Sequence, residues 1–134
     1  MERLNERLHQ AARALSTLQM LADIAHPSDI ERDAAIQRFE YSFEAIWKAV
    51  KRYLDVVEGV QAASPKSVVR ACLENGLLDE QQARAALVMV DDRNLTSHTY
   101  NEDLAAAIFS RIPDHSATLE QWLSAVISRM NVER

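Results

Sequence analysis

The chain has 134 residues, 48% of them hydrophobic, which suffices for one core. Only 2 Gly and 3 Pro occur, beside abundant Ala, Leu, Glu, Arg and Gln, and no sustained period-two alternation is present, so a helical fold is predicted and a sheet protein excluded. A net charge of -5 excludes a protein that coats nucleic acid through bulk charge, while leaving room for a local basic site.

The first helix is predicted from Arg3 to Ala25. Leu4, Leu8, Ala11, Leu15, Leu18, Ala22 and Ala25 alternate steps of four and three, a narrow bundle-type seam. Pro27 breaks it, and Ser28 or Asp29 can cap the next helix. The second helix, the longest, is predicted from Ile30 to Glu58 and closed by Gly59. Its stripe is Ile36, Phe39, Phe43, Trp47, Val50, Leu54 and Val57. Its aromatic density, with Tyr41 and Tyr53 added, marks it as the main packing element. Lys48, Lys51 and Arg52 lie on its other face, either as a solvated face or as a cation rim near a site.

Ser64 and Pro65 open a short third helix ending at Glu74, and Asn75-Gly76 stops it. Asp79 caps a fourth helix that runs through Ala83, Leu87 and Val90 to Arg93. A fifth starts near Asn101 with Leu104, Ile108 and Ile112. Pro113-Asp114 should kink or interrupt it before Leu119, Leu123, Val126 and Met130 continue the stripe. Short connections favour antiparallel neighbours. The expectation is an all-α, antiparallel four-helix bundle with a short additional helix, forming one domain over residues 1–134.

Cys72, flanked by Ala71 and Leu73, cannot form an internal disulfide and reads as a buried small hydrophobe. The charged N-terminus has no apolar signal region, and the longest apolar runs, Ala85–Val90 and Leu104–Phe109, are too short to span a membrane. A soluble, cytoplasmic protein without a membrane partner is expected. Asn94-Leu95-Thr96 matches a glycosylation pattern, by chance in that setting.

His9, His26, His98 and His115 lack zinc-site spacing, so no metal site is expected. No phosphate-binding Gly loop or serine elbow occurs, and no cofactor is expected. Adjacent Asp91 and Asp92 would not easily present both carboxylates to one magnesium ion. The stretch Asp92–Tyr100 is different, placing Arg93, His98 and Tyr100 within eight residues. On one helix Arg93 and His98 would stand ~140° apart, so a joint role requires the helix to end or bend at Leu95-Thr96-Ser97. Extended backbone would then put His98 and Tyr100 on one side, and Thr99 with Glu102 reads as a capping box. An arginine suits phosphate, and a histidine donates or accepts a proton near neutrality. Together they suffice for metal-free cleavage of a phosphodiester whose substrate supplies the nucleophile, as RNA does through its 2′-hydroxyl. The alternative is that Arg93 caps carbonyls or bridges to Asp92, with His98 a partly buried polar residue.

The corner reads Arg93-x4-His98-x-Tyr100 and resembles the signature of the HEPN superfamily. Arg38–Lys48, followed by Tyr53-Leu54, and Asp92–Glu102 resemble two long motifs of one branch, the nucleotidyltransferase substrate-binding or HepT-like toxin family. The resemblance covers roughly Leu15 to Ile112. Where relatives often carry a Trp seven residues before the motif arginine, this chain has Ala86. The resemblance implies a homodimer with the motif corners near its cleft, and a toxin of a toxin–antitoxin pair. It implies a metal-independent endoribonuclease acting on tRNA or mRNA, with Arg93 holding the scissile phosphate, His98 as general acid or base and Asn94 shaping the corner. The partner, a minimal nucleotidyltransferase acting as antitoxin, would add AMP to Tyr100. It equally implies an alternative, a non-catalytic nucleotide- or substrate-binding subunit of a two-component nucleotidyltransferase. RNA contact would fall to Lys48, Lys51 and Arg52, joined by Lys66, Arg70 and Arg93 if the dimer brings them together.

Overall fold

The computed structural model describes residues 1–132. Among these the architecture is all-α: α1 (Glu2–Ala22), α2 (Asp29–Tyr53), the short α3 (Pro65–Glu74), α4 (Glu80–Leu95) and α5 (Glu102–Val132). The predicted bundle of four long helices with one short addition is what forms.

The α1 seam buries Leu4, Leu8, Ala11, Leu15, Leu18 and Ala22. The helix stops at Ala22 rather than Ala25, which is exposed and has no packing to hold a further turn. Ser28 starts α2 with a reciprocal cap: its hydroxyl accepts from the Glu31 N–H at 3.1 Å, and Glu31 Oε1 accepts from the Ser28 N–H at 2.9 Å. The predicted stripe of α2 is buried through Leu54, with Ile46 and Tyr53 added. One aromatic departs from it, since Tyr41 is 62% exposed. The last predicted turn also differs. Residues Leu54–Glu58 form a π turn before Gly59 reverses the chain at φ 70°. A π turn holds one residue more than an α turn, so the stripe slips phase and Val57 is only half-buried.

Ser64 caps α3 with Pro65 in its first turn, and Asp79 caps α4 through the Gln82 N–H at 2.8 Å, both as predicted. The fifth helix runs 31 residues through Pro113; interruption, one of the two outcomes expected there, does not occur. Proline removes one backbone donor, but Pro113 is exposed, while Ile108 and Ile112 before it and Leu119, Trp122 and Val126 after it are buried on one stripe. Burial on both sides outweighs the missing bond.

Helices α1, α2 and α5 pack together, while α4 rests on α3 and α5. The Ser42 hydroxyl donates to the Ala14 carbonyl at 3.0 Å, joining α2 to α1. Trp122 donates through Nε1 to Cys72 Sγ at 3.3 Å, joining α5 to α3. Cys72 is fully buried, as its neighbours predicted, and burial pushes its thiol up to about 11. Two turns beyond Trp122 along α5, Arg129 holds Glu58 at 2.9 Å and the Asn75 carbonyl at 3.1 Å. None of the described helices is long and apolar enough to cross a membrane.

Candidate functional site

Helix α4 ends where the sequence asked it to, at Leu95, and a single 3₁₀ turn, Thr96–His98, comes next. The cause is local. The Thr96 hydroxyl donates to the Arg93 carbonyl at 2.6 Å and Ser97 to the Asn94 carbonyl at 3.4 Å, taking over acceptors of the last turn. The backbone beyond His98 is not extended. The Asn101 N–H reaches the His98 carbonyl at 3.1 Å, closing a turn. The expected Thr99–Glu102 capping box is absent because the Thr99 hydroxyl is committed to the Thr96 carbonyl at 3.1 Å. Asn101 caps α5 instead, its Oδ1 accepting from the Leu104 N–H at 3.1 Å.

The turn still brings His98 and Tyr100 together. Their rings meet edge to face, centroids 6.1 Å apart at 80°. Both are exposed, and Tyr100 is 84% accessible, so imidazole and phenol are presented to solvent as a pair. Asn94 is also exposed beside them. Arg93 turns away toward α2. Its Nη2 lies 3.1 Å from Glu44 Oε1, and the same carboxylate takes Lys48 at 3.4 Å. The Arg93 Nε is buried without a hydrogen-bond partner. Among the described residues no hydrogen bond joins Arg93 to His98; within one chain they face different neighbours.

Neither the carbonyl cap nor the Asp92 bridge considered for Arg93 forms. Asp92 points the other way, to α5, and is 4% exposed. Arg111 grips it with two bonds, Nε to Oδ2 at 2.7 Å and Nη2 to Oδ1 at 2.9 Å. The buried His115 meets Oδ2 through Nε2 at 2.6 Å and stacks on Phe39 at 5.2 Å between centroids. Burial pushes the Asp92 carboxyl up, but its bonds and charge contacts with Arg111 and His115 prevail and hold it below its ordinary range. The Asp92 carboxylate in turn raises Arg111. With the carboxylate ionised, His115 Nε2 must carry the proton between them. Sequence reasoning missed this cluster. Arg111 and His115 are four apart on one helix, a pairing visible only once Pro113 is not taken as a break. Asp91, next door, is exposed and bound to Lys66 at 2.8 Å, so the two adjacent carboxylates serve different sides.

Lys48, Lys51 and Arg52 do share a location, but not the corner. With Arg7 and Trp47 they line a cavity of about 570 Å³ beside the end of α2. Lys51 Nζ sits 5.9 Å from the centre of the Trp47 ring.

Residues 6–127 match a family model described as nucleotidyltransferase substrate binding protein like. The chain belongs to this family. Over 84 residues it is 36% identical to the probable ribonuclease HepT of Haemophilus influenzae, a match covering 60% of this chain and 56% of that one. The match therefore spans little more than half the length of that curated relative. A Thermus thermophilus protein of known crystal structure is 58% identical, with TM-score 0.84 over 87% of this chain and 98% of that one. Two more distant structures share the fold. One is the toxin–antitoxin MntA–HepT, at TM-score 0.78 and 14% identity over 96% of this chain and 99% of that one. The other is a Haemophilus influenzae protein described as having the fold of a substrate-binding domain of a nucleotidyltransferase, at TM-score 0.64 and 23% identity over 93% and 97%. The family fold is thus an all-α bundle in which this chain's Arg93 lies in the last turn of one helix and its His98 and Tyr100 stand on the corner beyond.

Proposed function

We propose that this chain, acting as one HEPN-like domain over residues 1–134, is the toxin of a toxin–antitoxin pair and a metal-independent endoribonuclease. The observation that carries the reading is the exposed His98–Tyr100 pair immediately beyond Arg93. His98 takes the proton of a ribose 2′-hydroxyl. The 2′-oxygen attacks the adjacent phosphorus, and the 5′-oxygen departs taking a proton from water while His98 returns its own to solvent, leaving a 2′,3′-cyclic phosphate and a free 5′-hydroxyl. Arg93 stabilises the charge that grows on the phosphate oxygens. For that it must exchange Glu44 for phosphate, and a second copy of the chain in a homodimer would set one corner against the other. Asn94 supports the corner. A minimal nucleotidyltransferase partner transfers AMP to Tyr100, whose phenol is open to a second enzyme's active site. The new phosphate then competes for Arg93 and obstructs His98. Expression without the partner should arrest growth and leave cleaved tRNA or mRNA, and His98→Ala should abolish both. Wild-type chain that cuts no RNA and arrests no growth overturns the nuclease. Mass spectrometry after co-expression should find an added adenylate on Tyr100 and none on Tyr100→Phe.

One observation favours a second reading. Within one chain Arg93 faces Glu44 while His98 pairs with Tyr100, which suits a subunit that binds the phosphate of a nucleotide or substrate without cutting it. Tight complex formation with a nucleotidyltransferase, without cleavage by the free chain, would support it.

A further inference from the structure

The seam between α1 and α2 carries a feature that the corner does not use. A hollow of about 700 Å³ beside Tyr41 and Glu44 and the 570 Å³ cavity beside Trp47 share two lining residues, Arg7 and Lys48. Because they adjoin at Arg7 and Lys48, we treat them together as one trough. Six cations face it: Arg7, Arg13, Arg38, Lys48, Lys51 and Arg52. Two carboxylates do, Glu44 and Asp55, and Glu44 is already tied to Arg93 and Lys48. Among the described residues the other five cations make no ion pair; of those outside the trough, Arg32, Lys66, Arg93, Arg111 and Arg129 are matched to a carboxylate and Arg3, Arg70 and Arg84 are not. In a chain of net charge -5, so many unmatched cations along one seam constitute a local positive field.

The trough also offers rings and unused donors. Tyr41, the aromatic that departs from the α2 stripe, lines it while 62% exposed. Trp47, nine-tenths buried, lines its other half, and its Nε1 has no hydrogen-bond partner; the Arg52 Nε beside it is likewise buried and unsatisfied. From Arg38 to Arg52 along α2 is roughly 21 Å at ~1.5 Å per residue. At ~3.4 Å per stacked nucleotide that accommodates roughly six, more than a mononucleotide needs. Cations along a groove with an exposed ring among them are what a single strand requires: phosphates are matched in turn while a base stacks. A duplex hides its base faces from such a ring. Midway along α2 the trough passes Glu44, the carboxylate that occupies Arg93.

We propose that this trough is the track for a single strand of RNA, leading it toward Arg93. The proposal rests on the nuclease reading for its purpose but not for its test. Anisotropy of a labelled twelve-nucleotide 2′-O-methyl RNA, which has no free 2′-hydroxyl to attack, reads binding alone. The double variant Arg38→Ala/Lys51→Ala changes one exposed cation in each half of the trough. It should weaken binding at least tenfold and flatten the log–log salt dependence by about 1.4, ~0.7 per lost phosphate contact. Tyr41→Ala should weaken it about tenfold with the salt slope unchanged. Arg84→Ala, on α4, should bind as wild type, and a twelve-base-pair duplex should bind at least tenfold more weakly than the strand. Wild-type affinity in both trough variants, or equal binding of strand and duplex, overturns the track. If those variants cut unmodified RNA with unchanged KM, the track fails and the nuclease stands. If the strand binds through the trough while wild type cuts nothing, the track stands and the nuclease fails.

Discussion

Replacing Asp92 with alanine is the sharpest test of how the corner is held. The substitution removes the acceptor of three contacts at once, two from Arg111 and one from His115. A hydrogen bond to a charged group contributes about 1.5–3 kcal/mol. The Arg111 side chain is 40% exposed and recovers water, so its pair of bonds counts for little more than one. The His115 side chain, 5% exposed, recovers almost nothing. The expected loss is about 3 kcal/mol, at the low end for removing one partner of a buried pair. For a chain of this length that is a drop in Tm of roughly 10 °C. Thermal and urea unfolding followed by circular dichroism measure it. The pH dependence supplies an independent check. The folded carboxyl titrates below its ordinary 3.8, so its stabilisation is fully present above about pH 4 and disappears as pH falls through the folded value. The gap between wild type and Asp92→Asn should therefore be constant at neutral pH and close on acidification. A loss under about 0.5 kcal/mol, the scale of an ordinary surface change, or a gap independent of pH, would refute the role assigned to the cluster.

Three further outcomes are expected in other parts of the molecule. Glu44→Gln should release Arg93 and tighten binding of a short RNA strand several-fold, measured by anisotropy; unchanged affinity would mean the carboxylate does not compete for the guanidinium. Cys72 should resist thiol reagents in the native state and react fully in denaturant, because it is buried and its thiol is pushed up to about 11. Gly59→Ala should cost about 1 kcal/mol in urea unfolding, because φ is 70° while nothing lies within 4 Å of the added methyl, so the cost is backbone strain alone.

What the sequence displays of this fold is what short-range physics determines. The α1 seam from Leu4 to Ala22, the caps at Ser28, Ser64 and Asp79, and the bend before His98 all arise from residues within a turn or two of one another. The failures share a cause. Pro113 reads as a break because its local cost is visible while the burial of Ile112 and Leu119 against other helices is not. Thr99 reads as a cap because the competing acceptor, the Thr96 carbonyl, exists only once the 3₁₀ turn forms. The site divides in the same way. The His98–Tyr100 pair is legible from spacing. The Glu44–Arg93 and Asp92–His115 partnerships join residues 49 and 23 apart, and only packing brings them together.

Consecutive residues at the end of α4 are committed to opposite helices, Asp92 to α5 and Arg93 to α2. Each added or removed residue rotates a helix end by ~100°. A deletion between Asp79 and Asp92 would offer the Arg93 guanidinium to Arg111, and an insertion there would offer the Asp92 carboxylate to Glu44. Like charge meets like in either case. The number of residues in α4 between Asp79 and Asp92 is thereby constrained along with their identity.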